Sequence, residues 1–333
     1  MNSRERYLAV LKGAPVDFLP RIPILMQYAA EYIGSNYAEF ASDYRVLVNA
    51  NEACARDFGI DQLSCISDPY RETQGFGSEI EYVKDGPPHS THPLCADKNL
   101  SLLSKPDPLR SARMLDRIKA VEAYQERRGA EYSILGWIEG PAAEAADLRD
   151  VGVFLMDIME DEAFACELMD LCIDVGIQFA RAQVRAGADT IGIGDAIASQ
   201  ISPDIYERLI QPREKKLVKA IQDIGGYVKL HICGNITHLL PGIADLGVDV
   251  LDVDHMVAVP RVRDAVGDRV VIAGNIDPAS GVLGGTPSSI RHTVLRTYEE
   301  AGNPYMVNGG CEIPSGTPAE NLRALCEPVP YRP

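Results

Sequence analysis

The chain has 333 residues, 46% hydrophobic and 24% charged, with a net charge of −16. These are the proportions of an ordinary globular protein and exclude a disordered, collagen-like or coiled-coil chain. The acidic balance opposes nucleic acid and anionic membrane surfaces, which are gripped through Lys and Arg on phosphates.

The start, Asn2-Ser3-Arg4-Glu5-Arg6-Tyr7, is charged, and no later stretch offers the roughly 20 apolar residues of a membrane span, so a cytoplasmic protein is expected. Eight Cys at irregular spacings fit burial or metal binding better than a disulfide framework.

Asn2 to Leu11 reads as a helix ending at Gly13, placed to cover the bottom of a barrel. Eight short apolar runs follow: Arg21 to Met26, Gln62 to Ile66, Tyr132 to Ile138, Asp189 to Gly194, Tyr227 to Cys233, Val250 to Val253, Val270 to Gly274, and Tyr305 to Asn308. Between them lie helical patterns such as Val151 to Arg185 and Ser202 to Ile224, the latter opened by Ser202 as N-cap and Pro203 at the first helical position.

Strands alternating with helices in this number predict an α/β fold, a (β/α)8 TIM barrel, as a single domain over residues 1–333. The alternation breaks between Thr73 and Pro93, where Asp85-Gly86 and Pro87-Pro88 predict a hairpin inserted after the second strand.

Side chains alternate along a strand, so Tyr227, Lys229, His231 and Cys233 share one face of the fifth run, and the apolar Val228, Leu230 and Ile232 share the other. The apolar row must meet the helices, which turns His231 and Cys233 into the barrel at its carboxyl end, where barrel enzymes place their sites. Cys311, in Gly309-Gly310-Cys311-Glu312 just past the last strand, reaches the same rim.

One imidazole and two thiolates suit Zn2+ rather than Mg2+ or Ca2+, and three protein ligands leave a position open for substrate. Free Cys is often simply buried, but composition predicts only roughly 0.14 occurrences of His-x-Cys by chance. Its place at a barrel mouth, with another Cys nearby, favours the metal. Gly192-x-Gly194 lacks the third glycine of a nucleotide loop and carries no such reading.

These residues resemble the uroporphyrinogen decarboxylase-like barrels, and within them the zinc methyltransferases that work with corrinoid proteins. The matching segments run nearly end to end: Leu11-Lys12-Gly13, Gly140-Pro141, Ser202-Pro203 with Tyr206, His231-Ile232-Cys233-Gly234, Gly274-Asn275-Ile276-Asp277-Pro278, and Gly310-Cys311 followed by Thr317-Pro318-Ala319-Glu320-Asn321. The decarboxylases carry an arginine pair just after the first strand, where this chain reads Met26-Gln27-Tyr28-Ala29-Ala30-Glu31-Tyr32. That departure disfavours a porphyrinogen polycarboxylate substrate.

The resemblance implies methyl transfer. No Asp-x-His-x-x-Gly corrinoid motif is present, so the corrinoid must ride on a partner protein. Two directions fit the motif: removal of a methyl group from a methoxylated substrate to Co(I), or methylation of a thiol such as coenzyme M. A zinc-stabilised barrel that only binds a ligand is the non-enzymatic alternative, and the oligomeric state, homodimer included, stays open.

The aromatic residues Tyr28, Tyr32, Tyr70, Phe76 and Trp137 fall near the carboxyl ends of the first three strands, where they could wall an aromatic ring, which favours a methoxylated aromatic compound. Asp68, Glu139 and Asp195 end strands or open the following loops. Each is a candidate for catalysis, for a fourth metal ligand, for a partner to His231 or for a substrate contact, and equally for a helix cap. His255 is a weaker ligand candidate, and His238 is expected on the helix after Cys233.

Overall fold

A computed structural model describes residues 1–333. In chain order the strands are β1 (Gln62–Ser64), β2 (Ile80–Glu81), β3 (His89–Ser90), β4 (Ser133–Glu139), β5 (Thr190–Gly194), β6 (Tyr227–Ile232), β7 (Val250–Val253), β8 (Val271–Gly274) and β9 (Tyr305–Met306). Seven of them form one curled parallel sheet in the order β1-β4-β5-β6-β7-β8-β9. The β2–β3 pair is antiparallel and stands apart, inside the segment that broke the alternation.

The remaining run, Arg21 to Met26, lies in the gap between β9 and β1 but forms no ladder. Arg21 is bridged to Val307 on one side, through the Pro20 carbonyl and the Ile22 N–H, and its own carbonyl accepts from the Asp61 N–H on the other, so the barrel-like sheet closes through one isolated bridge. Pro20 and Pro23 flank this contact and have no N–H to give, which is why the expected first strand is reduced to a bridge.

The helix Ser3–Leu11 is started by a capping box between Asn2 and Glu5. Its Tyr7 and Val10 pack with Ile22, Val250, Val271, Ala273 and Met306, and the Tyr7 hydroxyl meets Thr190 Oγ1 at 2.9 Å. These partners sit at the start of their strands or point inward, so the helix plugs the amino-terminal end of the barrel. The outward residues of the strands, among them Val228, Leu230 and Ile232, join the large core shared with the helices.

Two helical stretches differ from expectation. Val151 to Arg185 is two helices, Val151–Glu160 and Glu162–Ala186, separated by Asp161, whose side chain caps the second by accepting from Phe164 N–H at 3.3 Å. After Ser202, which makes no capping hydrogen bond, the helix runs Pro203–Ile205, opens into a π turn at Tyr206–Ile210 and resumes at Gln211–Gln222. Pro212 cannot donate to the preceding turn, which accounts for the looser winding ahead of it. No helix is long and apolar enough to cross a membrane.

Candidate metal centre

His231 is the penultimate residue of β6, and Cys233 follows it by two residues, so both point to the same side of the strand. Cys311 comes from the loop after β9. Gly310 lets that loop press against the neighbouring one, since a Cβ there would meet the His255 backbone nitrogen at 2.4 Å.

The three ligand atoms lie within 4.8 Å of one another, and no fourth His, Cys, Asp or Glu joins them. Cys233 Sγ and Cys311 Sγ are 3.8 Å apart, and His231 Nε2 is 3.1 Å from Cys233 Sγ. Two thiolates on a tetrahedral zinc ion stand about 3.8 Å apart and a thiolate and an imidazole about 3.5 Å, so the donor set fits the ion with a small adjustment at His231. Both cysteines are free thiols here and not a disulfide.

Without an ion the triad shares protons. Hydrogen bonding from Cys233 and the nearby imidazole draws the Cys311 thiol down to about 4, while the Cys233 thiol is pushed far up by the same contact and by burial. Burial works against a charge on His231, but the nearby Asp252 carboxylate and Cys311 sulfur outweigh it and raise the ring to about 10. An ion would displace these protons, because metals bind thiolate and neutral imidazole.

Beneath the triad lies a polar layer that the motif did not announce. His231 Nδ1 is 3.4 Å from Asp252 Oδ2, and that oxygen is 2.8 Å from Lys229 Nζ. Asn308 Nδ2 donates to Asp252 Oδ1 at 2.7 Å. The residue beside His231 is therefore Asp252 on β7, its register partner, and not Asp68, Glu139 or Asp195.

Above the triad is a cavity of about 160 Å3. Ile24, Met26, Ile66 and Trp137 supply its apolar wall, and Asp68, Glu139 and Glu312 supply carboxylates; no Lys or Arg lines it. The Trp137 ring lies across β5, where Gly192 and Gly194 leave room for it. A Cβ at Gly192 would come within 2.2 Å of Trp137 Cε3.

Trp137 is the only one of the five expected aromatic residues in this cavity. Tyr28 is buried on the helix Gln27–Tyr32, stacked on Tyr32 and edge-on to Phe58. Phe76 is fully buried in the main core, and Tyr70 precedes the short helix Arg71–Phe76 without reaching the cavity. Closeness to a strand end did not fix which way these side chains turn.

The three expected carboxylates separate in the same way. Asp68 is at the cavity but is gripped by Arg113, whose guanidinium outweighs burial and holds it well below the ordinary carboxylate range. Glu139 also faces the cavity; it accepts from Trp137 Nε1 at 3.1 Å and pairs with the buried Arg71, yet burial raises its pKa well above the usual value. Asp195 is fully buried away from the cavity and accepts from Ala143 N–H at 2.7 Å, capping the helix Pro141–Arg149, and burial pushes it up to about 7.

Glu312, not singled out from the sequence, reaches the cavity beside Cys311, accepts from Gln27 N–H at 3.0 Å and is raised by burial to about 7. Its adjacency to Cys311 was the available signal. His255 stays out of the triad, between Asp254 at 2.9 Å and Asp277 at 3.8 Å. His238 lies on the turn Thr237–Leu239, its Nε2 3.0 Å from the Ile201 carbonyl.

The family model described as uroporphyrinogen decarboxylase (URO-D) matches residues 2–330. The chain belongs to this family. It is 29% identical to the methylcobamide:CoM methyltransferase MtbA of Methanosarcina mazei over 97% of this chain and 96% of that protein. It is 28% identical to the methylcobamide:CoM methyltransferase MtaA of Methanosarcina barkeri, with the same coverage. The uroporphyrinogen decarboxylase of Microcystis aeruginosa is 25% identical over 96% of this chain and 95% of its own length. A solved methyltransferase from Methanosarcina mazei superposes with a TM-score of 0.89 at 26% identity, covering 98% of this chain and 97% of that one.

Proposed function

We propose that this chain is a corrinoid-dependent methyltransferase that removes the methyl group of a methoxylated aromatic compound and delivers it to the Co(I) corrinoid of a partner protein. The observation that carries the choice of substrate is the cavity over His231, Cys233 and Cys311, apolar on one side, acidic on the other and without a cation. At about 160 Å3 it suits one substituted ring, since a dry cavity of roughly 150 Å3 in another protein accommodates benzene.

A zinc ion held by His231, Cys233 and Cys311 would supply a Lewis acid for the ether oxygen in its open position. Trp137 orients the ring by contact with its face. The O–CH3 bond breaks with its electron pair passing to oxygen, and the methyl carbon bonds to cobalt, which is oxidised from Co(I) to Co(III). The oxygen then needs a proton, and Glu139 is the cavity carboxyl placed to give it, with burial favouring its protonated form against the pull of Arg71.

A second reading, methylation of a thiol, is favoured by the names of the relatives MtbA and MtaA. The cavity opposes it for coenzyme M, whose sulfonate finds no Lys or Arg on the lining, the guanidiniums of Arg71 and Arg113 behind it being taken up by Glu139 and Asp68. A polycarboxylate porphyrinogen meets the same obstacle.

The test supplies purified enzyme with Co(I) corrinoid protein and a panel of methoxylated aromatics, following methyl-cobalt formation by absorbance, and in parallel offers methyl-cobalt corrinoid protein to small thiols. Demethylation of an aromatic ether is expected. Activity confined to the thiols would overturn the reading in favour of the second.

A further inference from the structure

We infer that Asp252 and Lys229 are a positioning pair for the metal centre: Asp252 holds the Nδ1 side of His231 so that Nε2 faces the two sulfurs, and Lys229 balances the charge of Asp252. The inference rests on the reading of His231, Cys233 and Cys311 as a metal site and adds the residues that set its geometry.

Asp252, Lys229 and Asn308 are all fully buried inside the barrel, directly below the triad. Side chains in this position of a parallel barrel are ordinarily branched and apolar. A buried ion pair is a poor way to stabilise a fold, because replacing it by apolar residues of similar volume is often neutral or stabilising. Stability alone therefore gives no reason for a Lys and an Asp here.

Orientation does. An imidazole offers two nitrogens, and the one that meets an ion is decided by the hydrogen bond the other makes. Asp252 Oδ2 is 3.4 Å from Nδ1, and neither atom makes a hydrogen bond elsewhere, so the carboxylate is the group that faces Nδ1 while Nε2 stands 3.1 Å from Cys233 Sγ and the ring is turned with its ligand nitrogen to the sulfurs. Asn308 fixes the other oxygen of the carboxylate, and Lys229 is 2.8 Å from the oxygen that faces the ring.

Charge is arranged to the same end. Two thiolates neutralise a divalent ion, and Lys229 neutralises Asp252, so no net charge is left in the dry interior between the two pairs. A lone Asp252 beside the ion, or a lone Lys229 under it, would change the field at the site.

The experiment measures zinc affinity by competition with a chromophoric chelator, together with the absorption spectrum of the Co2+-substituted protein. Asp252→Leu should bind zinc about 10–100-fold more weakly than the parent and shift the Co2+ spectrum, as expected for loss of the group behind a ligating His. Asp252→Asn keeps an acceptor oxygen and should fall between. Should Asp252→Leu fold poorly with Lys229 left unpaired, the double variant Lys229→Met/Asp252→Leu removes both charges and is expected to melt close to the parent while still binding zinc weakly. Parent-like affinity and an unchanged Co2+ spectrum in the folded double variant would overturn the pairing. A parent that takes up no zinc would instead overturn the metal reading itself, so the two failures are distinguishable.

Discussion

The Trp137 ring rests on Gly192, one strand away, so closely that a methyl group added there would stand 2.2 Å from the ring. Gly192 and Gly194 thus serve no phosphate; they are the flat floor that lets the cavity's aromatic wall lie down. Gly192→Ala should tilt Trp137, destabilise the fold by about 1–3 kcal/mol through overpacking, and raise the KM for an aryl ether about 10-fold. Zinc content should not change, because Gly192 touches no ligand. An unaltered KM in the folded variant counts against Trp137 as a substrate contact.

Cys233→Ser and Cys311→Ser should each lose most of the bound zinc after dialysis, measured as metal per chain, because a hydroxyl does not ionise to a ligand as a thiol does. The fold should survive, since a core of 80 buried residues and not the ion supplies the stability. Full zinc retention in both variants would mean that the ligands lie elsewhere.

The triad was legible because two signals coincide in one short segment: strand alternation in Tyr227 to Cys233 and the arrival of a loop cysteine at the same rim. Seven of the eight apolar runs became ladder strands for a similarly local reason, alternation and length. What resisted reading depends on partners distant in sequence. Asp252 carries no motif, and its role appears only when the β6–β7 register sets it beside His231. Tyr28 and Phe76 are near the right strand ends but turn into helix packing, and Arg113 could not be assigned to Asp68 across 45 residues without the fold.

Asp68 and Glu139 both face the cavity, and their surroundings predict opposite behaviour. Arg113 grips both oxygens of Asp68 at 2.6 Å with both side chains buried, so Asp68→Ala strands a guanidinium and should lower the unfolding free energy by about 3–5 kcal/mol in denaturant titration. Glu139→Gln keeps shape and hydrogen-bonding capacity, and should instead lower kcat for ether demethylation by about 10²–10⁴ while the protein stays folded. The loss should shrink for ethers whose phenols are more acidic, because a better leaving group needs the proton less. Equal loss for every ether would remove Glu139 from proton transfer.

Asp147 gives a stability prediction with a defined sign. Its Oδ2 is shut off from solvent without a hydrogen-bond partner, and burial, aided by the neighbouring carboxylates of Glu72, Asp68 and Asp195 and opposed by Arg71, raises its pKa from 3.8 to about 8. A carboxyl with a folded pKa above its unfolded one binds its proton more tightly in the native state, so its stabilising contribution is complete below about pH 4 and is lost as pH rises through 8. Asp147→Asn carries a neutral group at every pH. Parent and variant should therefore melt at similar temperatures near pH 4, and the variant should gain steadily as pH rises to 8, by roughly 1.4 kcal/mol at most for each step of one in pH. The acid-labile pair of Asp68 with Arg113 is common to both proteins and cancels in the difference. Melting curves from pH 4 to 9 test this directly: a gap between parent and variant that does not widen with pH would show that Asp147 ionises freely in the folded protein.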